Sequence, residues 1–181
     1  MKTIGTYSKL YSSFFTQDAF ELAPVILGKY IVRKFEDGTI FKTQITEVEV
    51  YYGEDDLACH ASKGRTPRTE VMYHGGGCIY VYLIYGMYWL INIVTGPKDH
   101  PQALLIRGLK GIAGPGRVGK ILKLDKSFYG EDLTKSKRLW IEVESEDADG
   151  SKIKYKKLKR VGITYAGKWA NKLWRYKIDE Q

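Results

Sequence analysis

Cysteine is nearly absent from this chain: Cys59 and Cys78 stand alone in 181 residues. Two thiols build no disulfide framework, which points to a reducing compartment, and they are too few for an iron–sulfur cluster. A zinc pattern is missing as well. His60 and His74 lie near the two cysteines, but Cys59 and His60 are adjacent and no two-plus-two ligand spacing emerges. Long hydrophobic runs are also lacking. The stretch from Ile79 to Val94 is almost wholly apolar, yet Tyr85-Gly86 and Asn92 interrupt a run already short of a membrane span. The opening residues, Met1-Lys2-Thr3-Ile4-Gly5, carry no apolar signal-peptide core. The expectation is a soluble, cytoplasmic protein with no membrane attachment.

What is present describes a globular chain. A 44% hydrophobic and 28% charged composition excludes disorder, and the length suits one domain, residues 1–181, with a sizeable core. Lys and Arg outnumber Asp and Glu by 29 to 21, a net charge of +8 that favours polyanionic partners such as nucleic acid. Fourteen Tyr against six Phe give most rings a hydroxyl, which suits rings that meet water or a polar ligand.

Along the chain, residues 1–15 read as a loosely held arm. A short helix is expected over Gln17–Leu27, capped by Thr16, stopped by Gly28 and kinked or divided at Pro24. Two strands, 29–35 and 39–52, flank a hairpin signal at Glu36-Asp37-Gly38. One or two helical turns follow over 55–61, then a helix opened by Thr66-Pro67-Arg68 and running to His74. Cys78 to Ile84 alternates tyrosine with aliphatic residues, Tyr85-Gly86 turns the chain, and Met87 to Val94 returns. Strands are expected over 101–107, 139–143 and 160–165, and Gly114-Pro115-Gly116-Arg117 precedes a basic helix through Leu124. There is no internal repeat and no βαβ alternation. The fold class is therefore α+β: a curved, mostly antiparallel β-sheet with short flanking helices and a protruding β-hairpin.

The segment that carries chemistry runs from Glu47 to His60. On a strand Glu47, Glu49 and Tyr51 share one face and Val48, Val50 and Tyr52 the other, and a strand interior disfavours carboxylates unless a site needs them. Glu49 fits either a general base that activates water or a carboxylate paired at a sheet edge. Glu47 fits a second acid, as in glycoside cleavage, or a structural partner for a basic group. Glu54-Asp55-Asp56 suits magnesium in a nuclease, or a solvated loop. The apolar turn Ile84-Tyr85-Gly86-Met87 suits a tip folded on the core, or a wedge that unstacks base pairs. Gly114 to Arg117 with Lys120 and Lys123 would set N–H groups and cations near a phosphate. Lys152, Lys154, Lys156, Lys157, Lys159 and Arg160 read as a phosphate-contacting face or as a solvated edge strand and loop.

Together these pieces resemble the alkyladenine (3-methyladenine) DNA glycosylase family, the type without a helix-hairpin-helix. The matching motifs are Leu22-Ala23 to Leu27-Gly28, Glu47 to Tyr51, Asp56 to His60, Thr66-Pro67-Arg68 and Tyr80 to Met87. Asn92, Leu104 to Arg107, Gly114-Pro115-Gly116 and Tyr165 to Ala170 continue them in order to the C-terminus. The resemblance implies a monofunctional glycosylase that excises damaged purines from duplex DNA, needs no cofactor or metal, and acts as a monomer, in the nucleus if the source is eukaryotic. It makes Glu49 the general base and gives Arg107 the positioning of water and base. Tyr51, His60 and Tyr82 would stack the flipped purine, and Asn92 would exclude guanine. Tyr85 would fill the gap in the duplex, with Tyr80, Met87, Arg68, Gly116, Arg117 and Lys120 as further DNA contacts. Departures from the family pattern are Val50 and Cys59, where smaller residues are usual, and Trp174, where proline is common; Cys59 raises an expectation of oxidation sensitivity. The competing readings remain a magnesium-dependent nuclease built on Glu47, Glu49 and Glu54-Asp55-Asp56, and a non-catalytic nucleic-acid binder.

Overall fold

The alternation over residues 39–52 becomes a strand of thirteen residues, β3 (Ile40–Tyr52), the longest in a computed structural model that describes residues 6–144 and 153–179. It pairs with β2 (Tyr30–Lys34) across the expected turn, where Phe35 N–H donates to Thr39 C=O at 2.8 Å. Over its second half β3 is flanked by two strands, β6 (Gln102–Leu109) and β10 (Arg175–Ile178). A register shift around Glu47 lets the strand bend while Glu47, Glu49 and Tyr51 stay on one face.

The hairpin of β4 (Ile79–Ile84) and β5 (Tyr88–Val94) extends the sheet beyond β6, through β5. Among the described residues the strand order is β1-β8-β2-β3-β6-β5-β4, with β10 and then β9 off β3 and β7 off β6. Here β1 is Tyr7–Lys9, β7 Ile112–Ala113, β8 Leu139–Glu144 and β9 Tyr155–Leu158. Every pairing is antiparallel and the sheet curls, so the expected α+β class holds. The hollow of the sheet is filled by Val48 and Val50 of β3 with Ile91, Ile93, Leu104 and Ile106.

Among the described residues three short α-helices cover the sheet: α1 (Ser12–Phe15), α2 (Ala19–Ile26) and α3 (Pro115–Ile121). The cap of α2 is Asp18 rather than Thr16, because the Asp18 carboxylate accepts from both Phe20 N–H (2.8 Å) and the Tyr52 hydroxyl (2.7 Å). Pro24 lies inside α2, which continues to Ile26 and turns Ala19, Leu22, Ala23 and Ile26 into the core. Helix α3 lies close on β5: a Cβ on Gly119 would fall 1.7 Å from the Trp89 carbonyl oxygen, so only glycine allows this approach. No helix among the described residues is long and apolar enough to cross a membrane.

Several expectations need correction. From Thr6 onward the N-terminal arm is docked rather than loose: β1 pairs with β8, the Tyr7 ring packs edge-on against Tyr30, and Phe15 is buried. Residues 55–61 form turns, and the helical hydrogen bonding there is a 3-10 turn at His60–Lys63. The helix expected from Thr66 shrinks to a 3-10 turn at Glu70–Tyr73, since the Thr69 hydroxyl takes the Thr66 N–H and bonds the Gly64 carbonyl. Residues 160–165 are not a strand. Arg160 and Val161 bond to partners outside any ladder, Gly162 has φ of +76°, and Thr164–Asn171 holds two 3-10 turns separated by a kink at Ala166-Gly167. The strands of this region are β9 and β10, on either side of those turns. The lysine run becomes the solvated edge strand β9, with Lys152 outside the described residues.

Candidate active site

A cleft of about 570 Å³ opens where β3, β4, β5 and β6 meet the start of α3 and the loop from Val161 to Tyr165. Its floor carries Glu49. This carboxylate is 0% exposed as a residue, yet it borders the cleft. Its Oε1 accepts from Val161 N–H at 2.8 Å and lies 3.5 Å from Arg107 Nε, while Oε2 accepts from the Tyr51 hydroxyl at 3.0 Å. A carboxylate has about four lone-pair directions, so this arrangement still leaves one for a water. Burial raises the Glu49 pKa above the usual carboxylate range, with the Arg107 charge the main opposing influence.

Glu47 shares the face but has other work. Its Oε1 sits 3.0 Å from both Arg107 Nε and Arg175 Nη1, a carboxylate clamped between two guanidiniums. It acts as the structural partner and does not border the cleft. Through Glu47, Arg107 is oriented so that one nitrogen faces both acids while the side chain lines the cleft wall.

Deeper in, a narrow recess is lined by Tyr51, Ala58, His60, Met72, Tyr80, Tyr82 and Asn92. The His60 ring packs on Tyr82 at 4.6 Å between centroids and 71° between planes, and its Nδ1 is 2.7 Å from the Tyr80 hydroxyl. Burial, helped by nearby Arg68, lowers the His60 pKa to about 4, so the ring is neutral at physiological pH. Asn92 is buried and its Nδ2 donates to the Tyr80 carbonyl at 3.1 Å, which fixes the amide within the recess wall. Four of the residues expected to meet a base, Tyr51, His60, Tyr82 and Asn92, thus converge on one recess.

The expected DNA contacts divide. Tyr85 (83% exposed) and Met87 (66% exposed) stand at the hairpin tip, so the tip is not folded back on the core. Three residues, Tyr85, Gly86 and Met87, loop between the paired Ile84 and Tyr88, with Tyr85 and Gly86 at φ of +53° and +68° and Met87 N–H donating to the Ile84 carbonyl at 3.2 Å. Tyrosine in the left-handed region costs about 1–2 kcal/mol, and asparagine or glycine would fit the turn better. Gly116 and Arg117 line the cleft, and exposed Arg68 stands at the recess rim with its Cζ 5.5 Å from the Tyr82 ring centre. Lys120 is exposed on α3 but lies outside the cleft lining. Two assignments fail. Tyr80 is 2% exposed and belongs to the recess floor, and Lys123 turns toward the Phe35 ring (4.8 Å) instead of joining Lys120.

Sequence reasoning missed Arg160 and Asp56. It placed Arg160 in a basic surface run and Asp56 in an acidic cluster, but their side chains form a wholly buried ion pair, with Arg160 Nη1 to Asp56 Oδ2 at 2.5 Å and Nη2 to Oδ1 at 2.8 Å. The acidic triplet is accordingly dispersed: Glu54 accepts from the Tyr73 hydroxyl, and Asp56 is occupied by Arg160. No group of three His, Cys, Asp or Glu side chains among the described residues is placed to hold a metal ion. Cys59 is buried, and burial pushes its thiol pKa to about 12, which keeps it protonated and removes the reason for oxidation sensitivity. Val50 is buried in the core, and Trp174 packs against Phe20 and Trp169.

Comparison with known proteins finds relatives over nearly the whole chain. The profile of the family described as "Methylpurine-DNA glycosylase (MPG)" matches residues 13–113 and 110–181. A protein of Legionella pneumophila (strain Paris) is 40% identical, over 95% of this chain and 95% of its own length. Proteins of Natranaerobius thermophilus (94% of this chain, 95% of the relative) and Psychrobacter cryohalolentis (91% and 89%) are each 36% identical. All three carry the name "Putative 3-methyladenine DNA glycosylase".

Proposed function

Because the chain belongs to the methylpurine-DNA glycosylase family, we propose that it flips an alkylated or deaminated purine out of duplex DNA and hydrolyses its N-glycosidic bond with a water activated by Glu49. It is a DNA-repair enzyme, an N-glycosylase acting on alkylated bases in DNA. The observation that carries the mechanism is Glu49 itself: a buried carboxylate held by Val161 N–H and the Tyr51 hydroxyl, opening on a cleft that leads to a recess lined by aromatic rings.

In the proposed reaction Tyr85 enters the duplex as the damaged nucleotide leaves it. Extrusion costs a few kcal/mol, least at a damaged pair, and stacking on Tyr51, His60 and Tyr82 returns about 1–3 kcal/mol per base. An electron-poor alkylated purine gains further from electron-rich rings, and a neutral His60 adds no repulsion to a cationic base. The amide of Asn92 opposes the exocyclic amine of guanine. The glycosidic C–N bond breaks with its electron pair leaving on the purine, the water oxygen bonds to C1′, and Glu49 takes the proton. An N-alkylated cationic purine departs neutral and needs no acid. Glu49 as carboxylate also stabilises positive charge developing on the sugar, and Arg107 orients the water. The enzyme acts as a monomer, within a single domain, in the compartment that holds the DNA.

The nuclease reading loses its support, because Glu47 is clamped by two arginines and Asp56 by Arg160. The test is a duplex oligonucleotide carrying one hypoxanthine, and a second carrying methylated purines, incubated in EDTA. The reading expects strand cleavage only after alkali, abolished by Glu49→Gln. Strand breaks that need magnesium, or no base release from either substrate, would sink it.

A further inference from the structure

Arg160 does not line the cleft, yet the surroundings of Glu49, Tyr51 and His60 all lead to it. Its Nη1 and Nη2 grip Asp56, and Nη1 also donates to the Val50 carbonyl at 2.9 Å, between the two cleft residues of β3. Its Cζ lies 4.8 Å from the centre of the Tyr51 ring on one side and 4.8 Å from that of Trp174 on another. Asp56 in turn accepts from Tyr52 N–H (3.3 Å) and Ala58 N–H (3.1 Å), which sets the turn leading into His60. The next residue, Val161, donates its N–H to Glu49.

We infer that Arg160 is the positioning residue of this site, tying the carboxylate, the Tyr51 ring and the His60 turn into one rigid unit. The inference rests on the reading of Glu49 as general base. A buried ion pair is a weak source of stability, because the desolvation of two charges offsets most of their attraction; its best-attested use is to specify one arrangement. The pair joins positions 104 residues apart, and its geometry is that of the planar guanidinium fork. Nε of Arg160 is buried without a hydrogen-bond partner, a cost the fold accepts while the other two nitrogens are used fully. A core residue needed only for packing has no reason to carry that cost. Misplacing reacting groups by about 1 Å is enough to lose about a hundredfold in rate.

The test is Arg160→Lys, which keeps the charge and removes the fork. Thermal unfolding and circular dichroism establish the fold; three readouts follow. Single-turnover excision should fall about a hundredfold while affinity for undamaged duplex stays within about twofold. The acid limb of the pH–rate profile should move to higher pH, because Glu49 loses a well-aligned Val161 N–H while the net charge is unchanged. The fluorescence change of a duplex carrying ethenoadenine, which reports stacking of the flipped base, should shrink. Wild-type excision rate, pH limb and fluorescence in a folded Arg160→Lys protein would overturn the inference, even with a lowered Tm. If that variant does not fold, Asp56→Asn carries the same readouts, since the amide oxygen still accepts from Ala58 N–H; wild-type values there overturn the inference, and so does failure of both variants to fold. Glu49→Gln runs alongside. Full activity in Glu49→Gln removes the general-base reading itself, whereas an inactive Glu49→Gln with a fully active Arg160→Lys removes only the role of Arg160.

Discussion

The floor of the cleft and the tip of the hairpin are built on opposite terms. At the floor Glu49 is buried, with Glu47, Asp56 and Arg160 buried behind it, and each is held by two or more partners. At the tip, Tyr85 and Met87 are exposed, and Tyr85 sits at a positive φ that tyrosine disfavours. Charge developing in a transition state is stabilised by groups that need not move, so the floor is pre-organised. An exposed apolar ring gains burial only when a partner arrives, so under the proposed function the tip is stabilised by the duplex it enters. One region has its interactions complete within the protein; the other, under the proposed function, completes them on DNA.

The comparison breaks first at Glu49. Glu49→Gln should lower single-turnover excision by about a thousandfold, within the range of general-base removal, with duplex binding almost unchanged. A loss of binding of the same size would mean the carboxylate serves recognition instead.

Arg107→Gln comes next, with an expected loss of about a hundredfold. It removes the cation facing both acids, so the Glu49 pKa should rise further and the acid limb of the pH–rate profile should shift upward with it. In the wild type that limb should already lie above the ordinary carboxylate range, with activity rising as pH increases through the raised Glu49 pKa. Burial lowers the His60 pKa to about 4 and keeps the ring neutral, so the limb should report Glu49. A limb that a His60→Phe substitution displaced would contradict this assignment.

At the tip the expected effect is smaller and of another kind. Tyr85→Gly should slow excision of paired lesions about tenfold and leave the same lesion in single-stranded DNA unaffected, since only the duplex requires a wedge. The same change should raise Tm slightly, because glycine relieves the left-handed strain. Equal losses on both substrates would remove the wedge. Smallest of all, Arg117→Ala should weaken binding uniformly across sequences and reduce the slope of log K against log salt by about 1. An unchanged slope would take Arg117 off the phosphate path.

The legible parts of the site were those written in local pattern. Period-two alternation put Glu47, Glu49 and Tyr51 on one face, and the long β3 strand keeps them there. The bulky turn at Tyr85-Gly86 marked itself by chemistry unsuited to a solvent-exposed turn, and the turn is exposed. Alternation failed at Tyr80: it gives the face of a strand, but how deep that face lies depends on what covers it, here Tyr129, Tyr82 and His60. The 160–165 segment departs from the expected strand for a related reason. Its hydrophobicity suits a strand, but the backbone donor of Val161 is claimed by Glu49, 112 positions away.

The sequence by itself determined the family, the α+β class, the glutamate strand and the tyrosine hairpin, because each is carried by residues close together in the chain and by torsional and periodic rules that act over a few positions. Only the tertiary structure decided that Glu49 and not Glu47 borders the cleft, that Tyr80 lies on the recess floor, and that Arg160 and Asp56 form a buried pair. Those outcomes depend on partners from distant segments: Arg107 and Arg175 around Glu47, Val161 beside Glu49, and Arg160 under Tyr51. Burial and charge pairing are properties of a meeting between segments, and no single stretch of chain contains them.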